Sequence, residues 1–221
     1  MKNSIKKFIS KLSGKWIFDE IMLGYTDKFV SVPKIGNYIR IKAFELHVSE
    51  IIENNVAGDI AEVGVFQGDF AKYMNEAFPD RTFYLFDTFE GFDERDVSIE
   101  KKEKFSSGDQ NFSNTSVEGV LNKMPNKSKC VVKQGYFPES LKGLESRFAF
   151  VSLDADLFQP IYEGLTYFYP RLNKGGVIFI HDYNNNLYSG VKDAVKKYCN
   201  ENQISCVPIP DAWGTAIIRK P

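Results

Sequence analysis

From about residue 58 onward, short blocks of consecutive apolar residues alternate with longer stretches in which apolar positions recur every three or four residues. The blocks, one opening at Asp59 and others at 82–87, 129–134, 148–154 and 177–180, have the length of strands buried on both faces. The stretches predict helices after Gly68, at about 116–123, at 160–171 with Ile161, Leu165, Phe168 and Tyr169 along one side, and at about 188–202. A short helix is also expected to open after Gly135. Crossovers through helices keep successive strands parallel, whereas the turn at Pro210-Asp211 between 204–209 and 213–219 is too short for a crossover. The pattern therefore predicts an α/β fold, a doubly wound sheet of seven strands with one reversed. Ahead of it, a helix at about 39–54 places Ile41, Phe44, Val48, Ile51 and Ile52 on one buried face, after a loop marked by Pro33 and Gly36. Residues 1–20 are amphipathic and basic, with Ile5, Phe8, Ile9, Leu12 and Trp16 at helical spacing among lysines. Such a face packs on its own domain, on a second subunit, or on a membrane surface. The expected division is an N-terminal helical extension over 1–57 and one domain over 58–221.

Candidate chemistry gathers first at the turn after the opening block, Glu62-Val63-Gly64-Val65-Phe66-Gln67-Gly68, and at Asp87, which ends the second block. Glycine there lets a ligand approach backbone N–H groups and permits φ values that a Cβ forbids. An acid 23 residues beyond Gly64 is placed to accept hydrogen bonds from both hydroxyls of a ribose. A dinucleotide site normally reads G-x-G-x-x-G, so that pyrophosphate rests on the helix N-terminus. Here Phe66 replaces the middle glycine and Glu62 precedes the first, which suits a cationic ligand better than a phosphate. S-adenosylmethionine carries a sulfonium and an ammonium and meets that demand. The plainer role for Glu62 is to cap or orient the loop.

Ligands of open α/β sheets sit outside the carboxyl ends of the strands. The fourth block delivers Asp154 and Asp156 there, and the fifth delivers His181-Asp182-Tyr183-Asn184. Asp156 is equally suited to cap the next helix, and His181 to hydrogen-bond its own turn. Residues 93–116 are polar and charged, too many for an ordinary connection, and are therefore either disordered or a lid. Phe105, Phe112 and Tyr136 are candidates to stack on an adenine or a sugar face, or else core residues.

Composition narrows the field. A chain of 221 residues, 43% hydrophobic and 26% charged, has room for one sizeable α/β domain. A net charge of −1 gives no electrostatic case for nucleic acid. Cys130, Cys199 and Cys206 form neither an even disulfide set nor a metal spacing, which points to a reducing cytoplasm. With neither a signal-peptide core nor an apolar run of about 18 residues, stable membrane insertion is not expected.

Four elements taken together, Glu62-Val63-Gly64-Val65, Phe86-Asp87-Thr88-Phe89-Glu90-Gly91-Phe92, Leu153-Asp154-Ala155-Asp156-Leu157 and Gly175-Gly176-Val177-Ile178-Phe179-Ile180-His181-Asp182-Tyr183, resemble the macrocin O-methyltransferase family over roughly 30–220. The second element is the most specific of them. The resemblance implies a Rossmann-like class I methyltransferase that uses S-adenosylmethionine to methylate sugar hydroxyls. It implies that Glu62, Gly64 and Asp87 line the cofactor site, with Asp87 on the ribose, and the expected cofactor set also takes in Phe66, Gly68, Thr88, Gly135, Tyr136 and Asp154. It also implies Mg²⁺, held by groups that fall here on Asp154, His181 and Asp182. His181 stands where the macrolide enzymes carry an acid, and magnesium prefers oxygen ligands. The expectation is that His181 turns away while Asp154 and Asp182 suffice. The alternatives are a nitrogen-tolerant metal, or no metal with His181 as the base. A sugar hydroxyl is a poor nucleophile, so a cation must stabilise the alkoxide or a base must take the proton. Asp154 and His181 are the catalytic candidates. The expected partner is a small-molecule or glycoside acceptor, with a phenolic or catechol-like acceptor and a non-catalytic S-adenosylmethionine-binding subunit as alternatives. Family likeness also suggests a homo-oligomer, for which the apolar face of 1–20 offers one surface.

Overall fold

The computed structural model describes residues 35–221, with side chains from Tyr38 onward. The amphipathic segment at 1–20, and the self-association surface expected on it, lie outside the described residues. Strands β1 (Asp59–Val63), β2 (Phe83–Asp87), β3 (Cys130–Gln134), β4 (Phe148–Leu153), β5 (Leu172–Ile180), β6 (Val207–Ile209) and β7 (Thr215–Arg219) form one sheet in the order β3-β2-β1-β4-β5-β7-β6. Pairing is parallel from β3 through β5, and β7 runs antiparallel to both β5 and β6. This is the seven-stranded, once-reversed sheet expected from the pattern. Its order turns back between β1 and β4, which opens a crevice at their carboxyl ends.

Helices α1 (Ile35–Glu53), α2 (Asp69–Ala77) and α4 (Val117–Lys123) cover one face, and α3 (Glu94–Glu103), α5 (Phe158–Arg171) and α6 (Ser189–Asn202) the other. Strand residues alternate between the layers: Ile60, Phe150 and Phe179 pack with Phe44, Val48 and Met74, while Ala61, Val151 and Ile178 pack with Leu165, Phe168 and Val191. Side chains on a strand point alternately to its two faces, so a strand apolar at every position needs helices on both sides. The first helix, expected to belong to an extension, buries Ile41, Phe44, Val48 and Ile51 against the sheet.

Four expectations are corrected. Ile52 is 49% exposed, because it sits beyond the packed stripe. The fifth strand, expected at 177–180, instead begins at Leu172, and in its first half Gly175 N–H donates to Lys220 O and Lys220 N–H to Gly176 O, each at 2.9 Å. A register shift against β4 absorbs the extra residues. Segment 93–116 is not simply irregular, since α3 occupies its first half. Asp93 caps α3 by accepting from Arg95 N–H, with Glu94 and Asp96 in the first turn and Lys101 and Lys102 in the last, as the helix dipole favours. Its buried side is Asp96, Val97 and Glu100, a helical stripe made mostly of acids. Finally, Asp156 does not cap α5, whose first residues receive no side chain from Leu157; Glu100 Oε1 accepts from Phe158 N–H at 2.7 Å instead.

Candidate active site

A cavity of about 840 Å³ lies at the carboxyl ends of β1, β2, β4 and β5. Glu62, Gly64, Phe66, Asp87, Thr88, Gly135, Tyr136 and Asp154 all line it. Gly68 does not: it is the left-handed N-cap of α2 and rests behind the turn against Val120. The turn itself is closed by backbone. Gly64 has φ +82, and a Cβ there would lie 2.1 Å from the Asp154 carbonyl oxygen, so only glycine lets β1 and the loop after β4 come this close. Asp87 ties the turn together, accepting from Phe66 N–H at 2.8 Å and from Phe89 N–H at 2.7 Å. Thr88 braces the next turn by donating to Gly91 O at 2.6 Å. Glu62 is 1% exposed, and its Oε2 has no hydrogen-bond partner. Burial, followed by the nearby Asp154 charge, pushes its carboxyl well above the usual range.

On the far side, β4 and β5 deliver a compact ionic cluster. Arg40 Nη1 of α1 donates to Asp154 Oδ2 at 3.0 Å, and His181 Nδ1 lies 3.0 Å from Asp154 Oδ1 and 2.6 Å from Asp182 Oδ2. Asn185 Nδ2 donates to Asp182 Oδ1 at 2.6 Å. The expectation that His181 turns away is therefore corrected, because two carboxylates hold its ring inward. Burial opposes charge on Asp154, yet His181 and Arg40 hold its carboxyl well below the usual range. Burial and Arg40 likewise oppose charge on His181, but Asp154 and Asp182 outweigh them and raise it to about 10. Asp156, at φ +60, lines the same cavity beside Asp182. Burial, then the charges of Asp182 and Asp154, push its carboxyl well above the ordinary range. Donor atoms of Asp154, His181 and Asp182 lie within 4.8 Å of one another, so the set expected to hold a metal is brought together.

The aromatic candidates separate. Phe112 lines the cavity, edge-on to Phe66 at 5.2 Å and to Phe92 at 5.0 Å. Tyr136 lines it too, donating to Asp96 Oδ1 at 3.0 Å beneath the Arg95 guanidinium. Phe105 instead stacks on Phe158 at 5.2 Å, beneath α3. Arg40 and Asn185 were missed in the sequence. For Arg40 a signal existed: it stands four residues before Phe44 on the buried stripe of α1, where an arginine needs an acid to meet.

A profile of the family described as macrocin-O-methyltransferase (TylF) matches residues 29–217. The 8-demethyl-8-(2,3-dimethoxy-alpha-L-rhamnosyl)-tetracenomycin-C 4'-O-methyltransferase of Streptomyces olivaceus is 28% identical over 195 residues, 80% of this chain and 71% of that protein. The mycinamicin III 3''-O-methyltransferase of Micromonospora griseorubida is 24% identical over 188 residues, 75% of this chain and 70% of that protein. Among solved structures, the O-methyltransferase NovP superposes with a TM-score of 0.67 at 23% identity, over 82% of this chain and 79% of NovP. The sheet is thus that of a class I methyltransferase. With a family match across most of its length, the chain is an O-methyltransferase and belongs to the macrocin O-methyltransferase family.

Proposed function

We propose that this enzyme transfers the methyl group of S-adenosylmethionine to a hydroxyl of a sugar in a glycoside or a polysaccharide precursor. The observation that carries the reading is Glu62, a buried carboxyl with one oxygen unpartnered, in a cavity that has Asp87 at one end and four titratable side chains at the other. A cationic cofactor offers that oxygen a donor and a charge, and a ribose offers Asp87 two hydroxyls. The relatives named for methylating a rhamnosyl tetracenomycin and a mycinamicin support a sugar acceptor.

Transfer from a sulfonium is an in-line displacement, in which the hydroxyl oxygen bonds to the methyl carbon while the carbon–sulfur electron pair stays on sulfur. The protein's largest contribution is to hold that oxygen behind the methyl. Asp154 and His181 orient the acceptor side, each fixed by two partners. Asp156, whose carboxyl is less acidic than usual, is the better group to receive the hydroxyl proton. Asp154, His181 and Asp182 would hold a divalent ion, and with an imidazole among the donors a nitrogen-tolerant ion suits the set better than Mg²⁺. Such an ion, when bound, supplies positive charge that stabilises a forming alkoxide. Helix α3 and the rest of 93–116 wall the cavity through Asp93, Asp96 and Phe112, which is where a lid belongs.

The test is calorimetry with S-adenosylmethionine, with and without Mn²⁺ or Mg²⁺, followed by mass detection of methyl uptake by a panel of glycosides, nucleotide sugars and catechols. Cofactor binding with methylated sugar is expected. Absence of cofactor binding, or methylation of catechols alone, would overturn the reading.

A further inference from the structure

Large hydrophobic side chains exposed among the described residues are few, and of these Leu187 and Trp213 line the cavity. Trp213 is 58% exposed and Leu187 57%, although each hangs from a loop tied to the ionic cluster. Trp213 also has φ +67, a left-handed conformation that is costly for a bulky residue. Its surroundings keep it there. Asp211 takes both Thr215 N–H and Thr215 Oγ1, each at 2.6 Å, which closes the turn before β7. Tyr183 N–H donates to Gly214 O and Asn184 N–H to Trp213 O, each at 2.9 Å, so the turn is hydrogen-bonded to the residues directly after Asp182. Gly214 lets the two loops meet, since a Cβ there would lie 3.0 Å from Asn184 Cβ. Leu187 is fixed from the same side: its N–H donates to Asn185 Oδ1 at 3.0 Å, and Asn185 in turn donates to Asp182. An indole held in a strained backbone, exposed, at the edge of a cavity lined by acids is poorly explained by folding alone. Folding would bury it or replace it.

We propose that Trp213, flanked by Leu187, is the acceptor platform of this enzyme, on which the apolar C–H face of a pyranose ring stacks while the ring's hydroxyls reach the Asp182 side of the cavity. The inference rests on the methyl-transfer reading and narrows its acceptor. A flat indole matches the one apolar face of a sugar, and its Nε1–H is a donor for a hydroxyl at the rim. The neighbouring groups, Asp156, His181, Asp182 and Asn185, are all polar and supply partners for several hydroxyls, more than a phenol would use.

The chain contains two tryptophans, Trp16 and Trp213, so Trp16→Phe makes Trp213 the sole indole reporter. With S-adenosylhomocysteine saturating, titration with methyl α-L-rhamnopyranoside and with dTDP-rhamnose is expected to change its emission saturably, whereas catechol leaves it unchanged. Should Trp16→Phe misfold, the ¹⁹F signals of wild-type protein labelled with 5-fluorotryptophan give the same readout. Trp213→Ala is expected to raise KM for the methylated sugar by about ten-fold or more, with S-adenosylhomocysteine affinity within two-fold of wild type, and Trp213→Tyr to recover most of the loss. An unchanged KM in Trp213→Ala, or an indole signal that answers to catechol and to neither sugar, would overturn the platform. Failure of S-adenosylhomocysteine to bind would instead sink the methyl-transfer reading itself.

Discussion

The two ends of the cavity are built by opposite means. At the β1–α2 turn the chemistry is in the backbone: Gly64 at φ +82, Phe66 at φ +47, and peptide N–H groups gathered on Asp87. Across from it, Arg40, Asp154, His181 and Asp182 come from three elements and are joined through side-chain ion pairs. The first end tolerates changes of charge better than changes of volume, because a Cβ at Gly64 has nowhere to go. The second tolerates changes of volume better than changes of charge, because Asp154 and Asp182 both face His181 and Asp154 also faces Arg40. One cavity-lining acid, Glu62, crosses that division, since it stands in the backbone-built end with an oxygen that nothing balances.

The largest effect is expected from Gly64→Ala. With the Asp154 carbonyl 2.1 Å from the added Cβ, β1 and the β4 loop must part, at a cost of about 3–5 kcal/mol. Thermal unfolding should show a fall in Tm on the order of 10 °C, with cofactor binding lost by calorimetry; a Tm within about 2 °C of wild type would mean the turn is not rigid. Asp154→Asn acts at the other end, through charge and not volume. It leaves Arg40 and His181 facing one carboxylate fewer, so Tm should fall, though by less than in Gly64→Ala, S-adenosylhomocysteine affinity should stay close to wild type, and turnover should drop by about 10²–10³-fold, the scale of losing one well-placed polar group at a reacting centre. Undiminished turnover would remove Asp154 from the reaction.

This asymmetry also explains what could be read from the sequence. Strands apolar at every position, a glycine turn and an acid 23 residues later are local signals, and they place β1, β2, β4 and the turn between β1 and α2 within a residue or two. The ionic end was legible only in part. Asp154, His181 and Asp182 were visible at strand ends, but Arg40 comes from 114 residues away, and its arrival turns on how α1 packs. Helix α3 was missed for a different reason. Its buried stripe is Asp96, Val97 and Glu100, and a search for apolar spacing cannot see a helix that buries acids. Glu100 buries its charge at the N-terminus of α5, where an anion is favoured. The two glycines before Val177 likewise fell outside the expected fifth strand, whereas long-range pairing with β7 pulls that stretch into β5.

Glu62→Gln tests the residue that fits neither pattern. The amide keeps the shape but removes the unbalanced acid, so Tm should hold or rise slightly, while S-adenosylmethionine affinity falls by roughly ten-fold, about 1.4 kcal/mol. A drop in Tm with affinity unchanged would make Glu62 a loop brace and return the cofactor end to backbone alone.

The smallest effect, and the one with a pH signature, belongs to Asp96, which lines the cavity from α3 and accepts from Tyr136. Burial raises its carboxyl from 3.8 to about 6, against the opposing hydrogen bond from Tyr136. A folded-state value above the unfolded one means that the protonated acid favours folding. That contribution is complete below about pH 4 and is lost as the pH climbs through about 6. Asp96→Asn keeps an acceptor for Tyr136 but cannot ionise. The move from 3.8 to about 6 corresponds to at most about 3 kcal/mol, and solvent screening in the open cavity cuts the gain relative to wild type to about 1 kcal/mol between pH 4 and pH 8, or roughly 2–4 °C in Tm, appearing between pH 4 and 7. A difference in Tm that is flat across that range would place the ionised Asp96 in solvent-like surroundings, and α3 would then belong with the balanced, charge-built end rather than forming a wall that stores an uncompensated acid.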